Sequence, residues 1–125
     1  MRLKVQTENA PAAIGPYSQA IKTDSFIFAS GQIPLNPETG QIVEGGIVEQ
    51  THRVMQNITA ILTASGSSME NVVKTTVFLK DFNDFAAMNE IYGSYFPNNP
   101  PARSTVEAAR LPKDVKIEIE VIALV

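Results

Sequence analysis

The chain has 125 residues, 44% hydrophobic and 18% charged, so the sequence predicts one globular domain spanning residues 1–125. The formal net charge is −3 and the ten Lys and Arg residues are scattered, which argues against a nucleic-acid-binding surface. With no cysteine and one histidine, disulfides, thiolate nucleophiles and the usual zinc sites are excluded. The chain shows no signal peptide and no apolar run of membrane-spanning length, so we expect a cytoplasmic protein that does not enter a membrane.

The first half of the chain predicts an irregular segment, two short strands and a long helix. Residues 5–16 contain the run APAAIGP, which favours an extended, turning segment. Residues 18–21 and 26–29 have the composition of short strands joined by a hairpin-like connection. Residues 47–65 place apolar side chains at three- and four-residue spacing, which predicts a helix that ends at Gly66.

The second half predicts a strand, a second helix and two further strands. Residues 72–79 are apolar on both strand faces, with Val73, Val77 and Leu79 expected on the same face. Residues 81–96 predict a helix capped by Asp81 or Asn83. Its apolar stripe is predicted to consist of Phe85, Met88, Tyr92 and Tyr95. The last two strands are predicted at residues 104–108 and 115–124.

This element order predicts an α+β fold, a sheet with two helices on one face. Two helices leave the other face of the sheet uncovered, although several of its positions are apolar. Burying that face against further copies of the chain is the simplest solution, so we expect a homo-oligomer.

The stretch from Pro100 to Glu120 carries the strongest chemical signal. Two prolines form a stiff lead-in to Arg103, and a guanidinium on a rigid element can hold a carboxylate through two parallel hydrogen bonds. Downstream, period-two alternation places Glu118 and Glu120 on one strand face. These residues alone also fit a surface arginine and a solvated row of charges.

Other polar residues give weaker signals. Tyr17 could line a pocket or be a half-buried ring, and Gly31 could admit a ligand or only end a strand. Asn89 fits a ligand donor or a helix-surface amide. His52 lacks triad partners, so we expect a packed or solvent-facing ring.

Taken together, these segments resemble the RidA family (reactive intermediate deaminase A, or YjgF-type proteins). The resemblance covers most of the chain in the correct order and spacing. It is carried by NAPAAIGPYSQA at residues 9–20, SGQIPLNPETG at 30–40, KTTVFLKDFNDFAAMNEIY at 74–92 and PARSTVEAARLPKDVKIEIE at 101–120.

The resemblance implies a chorismate-mutase-like subunit in a homotrimer, with sheets facing a central barrel, helices outside and clefts at the subunit interfaces. It implies hydrolysis of 2-imino acids, the tautomers of enamines such as 2-aminoacrylate and 2-aminocrotonate, to 2-oxo acids and ammonia. That reaction would protect pyridoxal-phosphate enzymes from these intermediates. No cofactor and no metal are expected.

The family pattern also implies the site residues. Arg103 would bind the substrate carboxylate, and Glu118 would handle the attacking water and the departing ammonia. The remaining pocket positions are Tyr17, Ser30, Gly31, Asn89 and Thr105. Many relatives carry cysteine where this chain has Thr105, so a thiol-dependent role is not expected here.

Two other functions stay open at this stage. A metabolite-binding regulatory module would sense 2-oxo acids in the same interface cleft without turning them over. A nuclease or translation-inhibitor role, attached to some relatives, is disfavoured by the acidic balance of the chain.

Overall fold

The computed structural model describes residues 1–125 as one sheet with two α-helices. The helices are α1 (Ile47–Ala64) and α2 (Phe85–Ser94). The strands are β1 (Leu3–Val5), β2 (Ala20–Lys22), β3 (Phe26–Gln32), β4 (Val72–Leu79), β5 (Ala102–Glu107) and β6 (Ile117–Leu124). Neither helix has the length and apolar character that crossing a membrane requires.

The six strands lie in the order β1-β2-β3-β6-β4-β5. Every neighbouring pair is antiparallel except β4 and β5, which are parallel because α2 carries the chain back between them. This mixed sheet confirms the predicted α+β class. β5 is an edge strand, so the strand that carries Arg103 has no neighbour on its outer side within the subunit.

Both helices contribute to a single hydrophobic core on one face of the sheet. The strand β6 shows the pattern most clearly, since Ile117, Ile119, Val121 and Ala123 are buried and the residues between them are not. The cluster has 20 buried residues, and it includes Met55 and Ile58 of α1 together with Met88 and Tyr92 of α2. The prediction that the helices share one face is therefore confirmed.

The opposite side of the sheet, here called the open face, carries large apolar side chains in solvent. Phe28 of β3 and Val106 of β5 point to this side, and each is 45% exposed. Phe26 and Leu124 are 39% and 43% exposed on the same side. The uncovered apolar face expected from the sequence is therefore present.

The prediction for Val73 is wrong. Val73 is 38% exposed whereas Val72 is 7% exposed. The register passes from Val72 opposite Ala123 to Lys74 opposite Ile122, so Val73 is the extra residue of a β-bulge. A bulge inverts the alternation behind it, which residue spacing on one strand does not reveal.

The remaining differences lie at element ends. The predicted helix at 81–96 is a 3-10 turn at Phe82–Asp84 followed by the shorter α2, and Asp81 Oδ1 caps the turn by accepting from the amide of Asn83. The strand predicted at 18–21 begins instead at Ala20, because the side chain of Gln19 turns inward and donates to the carbonyl oxygens of Ala10 and Pro11. The three-residue strand β1 was not predicted.

Candidate active site

Arg103 lies in a cluster of side chains from β5 and α2, here called the arginine cluster: Arg103, Asn89, Phe85 and Tyr92. Its Nη1 donates to Asn89 Oδ1 at 2.7 Å. The guanidinium carbon lies 4.8 Å from the centre of the Tyr92 ring and 5.5 Å from that of Phe85. One amide and two aromatic rings therefore hold this cation in place.

The fold explains why these residues meet. Arg103 is paired with Thr75 of the adjacent strand β4, and Thr75 is fully buried on the helix face, so Arg103 points to the same side. On α2, Phe85, Asn89 and Tyr92 are spaced four and three residues apart and share one helix face. The crossover from β4 through α2 to β5 places that helix face over Arg103.

Tyr92 is bonded to the sheet through its hydroxyl group. Its hydroxyl lies 2.7 Å from Thr75 Oγ1, within hydrogen-bonding distance. Burial raises the pKa of Tyr92, while the bond to Thr75 and the charge of Arg103 lower it by less. The phenol therefore stays neutral at physiological pH, and its ring faces the cation as an uncharged π-system.

Arg103 has no acidic partner. The two ion pairs of the structure join the amino terminus to Asp24 and Arg110 to Asp114, and both are exposed. Arg103 is partly buried, and its hydrogen bond to Asn89 uses one N–H of the five that a guanidinium offers. Its remaining donors are suited to a carboxylate that comes from outside the subunit.

Thr105 lies two residues after Arg103 on the same face of β5, opposite Val77. Its Oγ1 is buried and has no hydrogen-bond partner. Buried polar atoms are rarely left unpaired, so this hydroxyl stands out beside the arginine cluster.

Glu118 belongs to a second group on the open face, here called the glutamate cluster: Glu118, Ser30 and Gly31. A Cβ at position 31 would overlap Glu118 Oε2 and lie 3.0 Å from its Cδ, so the glycine lets β3 lie directly against this carboxyl group. Ser30 and Gly31 form a bulge in β3, where Ala29 pairs with Val121 and Gln32 with Ile119. The bulge brings the backbone of β3 against the carboxyl group.

Tyr17 lies beside this second group. Ser30 Oγ donates to the carbonyl of Ser18 at 2.6 Å, and the Ser30 amide donates to the carbonyl of Gln19. These bonds tie the loop that carries Tyr17 to β3. Tyr17 is 53% exposed and, with Ser30, lines an open depression of about 640 Å³.

The environment of Glu118 favours its protonated form. Burial raises the pKa of Glu118 above the usual 4.5, and the negative charge of Glu120 raises it further. No cation lies within ion-pair distance to oppose these effects. A carboxylate whose pKa is raised is a stronger base than an ordinary glutamate, which suits a group that accepts a proton during acid–base catalysis.

One subunit does not bring Arg103 and Glu118 together. Arg103 aligns with Thr75 on the helix face, whereas Glu118 pairs with Phe78 on the open face. Two strand spacings and three residues along the strand separate their Cα atoms by about 14 Å. Side chains on opposite faces at that distance do not contact one small molecule.

Two members of the arginine cluster were not predicted as site residues. The sequence placed Phe85 and Tyr92 in the apolar stripe of a helix, and both do pack against the core. Their spacing of four and three residues from Asn89 on α2 is the sequence signal that could have identified them as neighbours of this candidate ligand donor. His52 is a packed residue as expected, with Nδ1 at 3.0 Å from the Tyr95 hydroxyl. The structure contains no cluster of three or more metal-ligating side chains.

The fold and these two clusters define an α+β protein with a partly buried cation on one face of the sheet and a partly buried carboxyl group on the other. Residues 7–125 match the model of the endoribonuclease L-PSP family. The chain belongs to this family, which includes the RutC and RidA proteins, and the resemblance seen in the sequence is thereby confirmed.

Individual relatives are similar over nearly the whole chain. A RutC family protein of Pyrococcus horikoshii is 59% identical over 123 residues, covering 98% of each chain. The 2-iminobutanoate/2-iminopropanoate deaminase of Mus musculus is 49% identical over 124 residues, 99% of this chain and 92% of that protein. The crystal structure of E. coli TdcF with bound serine superposes with a TM-score of 0.94 at 45% identity, covering 98% of both chains.

Proposed function

We propose that the protein hydrolyses 2-imino acids to 2-oxo acids and ammonia, with Arg103 as the carboxylate anchor. The observation that carries this proposal is the partly buried guanidinium of Arg103, held by Asn89 and two rings and lacking any acidic partner. A preorganised cation of this kind fits a small carboxylate. The deaminase name of the mouse relative and the serine bound to TdcF support a ligand of amino-acid size.

The complete site would form between two copies of the chain. Arg103 and Glu118 leave opposite faces of the sheet, so a substrate that contacts both needs the arginine of one subunit and the glutamate of its neighbour. The exposed apolar residues of the open face support the same assembly. A homotrimer whose sheets surround a central barrel would bury this face and create three equivalent clefts.

In the cleft, Arg103 would bind the carboxylate and leave the C=N carbon facing Glu118. The enamine first takes a proton on its β-carbon and becomes the protonated imine. As water adds to the C=N carbon, Glu118 accepts a proton from the water, and the C=N bond becomes the C–N single bond of a carbinolamine. Glu118 then passes this proton to the amine nitrogen. The C–N bond breaks while the hydroxyl group forms the C=O bond and gives its proton back to Glu118, so that the 2-oxo acid and ammonia leave.

Tyr17, Ser30, Gly31, Asn89 and Thr105 would complete the pocket around this chemistry. Ser30 and Gly31 place the backbone of β3 against the carboxyl of Glu118, and Asn89 orients Arg103. The residues supply orientation and one proton relay, which suits a carbon that is already electrophilic. No step in this scheme requires a metal or an organic cofactor.

The test follows imine produced in situ by a serine or threonine dehydratase, with semicarbazide as the competing trap. The wild-type protein is expected to lower the initial rate of semicarbazone formation and to raise 2-oxo acid release. Two charge-assisted hydrogen bonds contribute about 3–6 kcal/mol, so Arg103→Ala should lower kcat/KM by about 100-fold or more. Arg110→Ala is the matched control because its ion pair with Asp114 is fully at the surface. Equal activity of the two variants would refute the anchor.

The regulatory alternative keeps one specific support, the serine seen in TdcF, since a bound amino acid is also what a sensor would hold. It predicts 2-oxo acid binding that Arg103→Ala abolishes, with no turnover by the wild-type protein. The nuclease suggested by the family name is tested in parallel. RNA cleavage that persists in Arg103→Ala and falls with added salt would indicate a separate polyanion surface.

A further inference from the structure

The contacts of Tyr92 link the proposed anchor to the core of the subunit. The ring of Tyr92 lies closer to the guanidinium than that of Phe85, at 4.8 Å against 5.5 Å. Its hydroxyl is bonded to Thr75, which is fully buried. The ring also packs against Phe96, with centroids 4.9 Å apart. Tyr92 is 5% exposed, so its ring belongs to the buried core.

Such an arrangement does more than fill space. An arginine side chain has several rotatable bonds, and a free guanidinium loses that freedom when it binds a ligand. A ring face fixed beneath the cation restrains it before binding, since the π-system attracts the charge. Asn89 Oδ1 then sets the rotation of the guanidinium about its axis by accepting from Nη1. The two contacts together restrain the guanidinium, and its remaining N–H groups make no further hydrogen bond within the subunit.

We propose that Tyr92 is a positioning residue for Arg103: the face of its ring holds the guanidinium in the orientation that receives the substrate carboxylate. The inference rests on the proposed function of Arg103 as the carboxylate anchor. It assigns a ligand-binding consequence to a buried side chain that touches no ligand. A Tyr92 that only packs the core would affect stability without affecting carboxylate affinity.

The experiment compares three variants of the full chain: Tyr92→Leu, which removes the ring face, Tyr92→Phe, which keeps the ring and removes the hydroxyl, and Phe96→Leu. Phe96 is the matched control because it is 8% exposed and packs on Tyr92, whereas the rings that face Arg103 are those of Phe85 and Tyr92. For each variant we would measure Tm, the Kd of 2-oxobutanoate by calorimetry, and KM and kcat for imine hydrolysis.

Tyr92→Leu is expected to raise KM and the Kd of 2-oxobutanoate by about tenfold, because it removes the desolvated cation–π contact with Arg103. The change in kcat should be smaller than the change in KM. Tyr92→Phe should restore both constants to within about threefold of wild type, since the ring remains. Phe96→Leu should lower Tm and leave both constants unchanged.

Two results would overturn the inference. One is Tyr92→Leu binding 2-oxobutanoate as the wild-type protein does, and the other is Phe96→Leu weakening binding by the same factor as Tyr92→Leu. Failure of the proposed enzymatic function is distinguishable from these. A wild-type protein that binds 2-oxobutanoate without hydrolysing imine loses the enzymatic proposal only, and the Kd series still decides the role of Tyr92. A wild-type protein that binds no carboxylate overturns both.

Discussion

Gly31→Ala isolates the position of the Glu118 carboxyl group from the stability of the fold. An added Cβ would overlap Glu118 Oε2 and would lie 3.0 Å from Cδ and 3.2 Å from Cγ, whereas ordinary contacts begin at 3.4 Å. The carboxyl group therefore has to move by about 1 Å, and a misplacement of that size costs about 100-fold in rate.

The fold itself should tolerate the change. The clash involves the end of a flexible side chain, and Gly31 is not among the glycines with positive φ, so an alanine fits the backbone. We expect the free energy of unfolding to stay within about 1 kcal/mol of wild type. Gly93→Ala is the matched control, because a Cβ at Gly93 in α2 meets nothing within 4 Å.

The assay is the dehydratase-coupled imine competition, run beside urea unfolding of each variant. Gly31→Ala is expected to lose kcat and keep its unfolding midpoint, and Gly93→Ala to keep both. Full activity in Gly31→Ala would refute the argument that the carboxyl position set by the bulge matters. A large loss of stability would show instead that the backbone of β3, and not Glu118, has to give way.

Three further predictions concern charge. If the carboxylate of Glu118 is the base, activity falls as the pH is lowered through its raised pKa. Glu120→Gln removes the smaller cause of that rise, so it should move the acidic limb of the pH–rate profile to lower pH, while burial keeps the pKa of Glu118 above its ordinary value. An unmoved limb would contradict it. Glu118→Gln should abolish turnover yet raise Tm at pH 7, because the fold disfavours the carboxylate, and the gain should vanish below the ordinary pKa of 4.5. Lys22→Met removes the donor to the Ser65 carbonyl at the end of α1, at 2.9 Å, and should lower the free energy of unfolding by about 1 kcal/mol in urea titrations; an unchanged midpoint would exclude that contribution.

The second helix shows where prediction from the sequence reached its limit. Residues 85–92 were placed correctly in a helix with an apolar stripe, and Asn89 was named as a candidate ligand donor. The same residues form the arginine cluster only because β5 lies parallel to β4 and returns beneath α2. Helical spacing says which side chains share a face, but it does not say which strand that face will cover.

Alternation along single strands was informative wherever the pairing stayed regular. The period of β6 placed Glu118 and Glu120 together on one face, and the structure agrees. The same reasoning failed at Val73, where the neighbouring strand determines the bulge. Alternation along β3 also gave no indication of the bulge at Ser30 and Gly31, which brings the backbone of β3 against Glu118.

Residue type and local period, which the chain displays directly, predict the α+β class, the long helix α1 and the uncovered apolar face. The resemblance to the RidA family singled out Arg103 and Glu118 from the other charged residues. Three relations come from tertiary contacts alone: Arg103 and Glu118 leave opposite faces of the sheet, Arg103 has no acidic partner, and Tyr92 lies against its guanidinium. Strand order, register and crossover direction set these relations, and they arise from contacts between residues far apart in the chain.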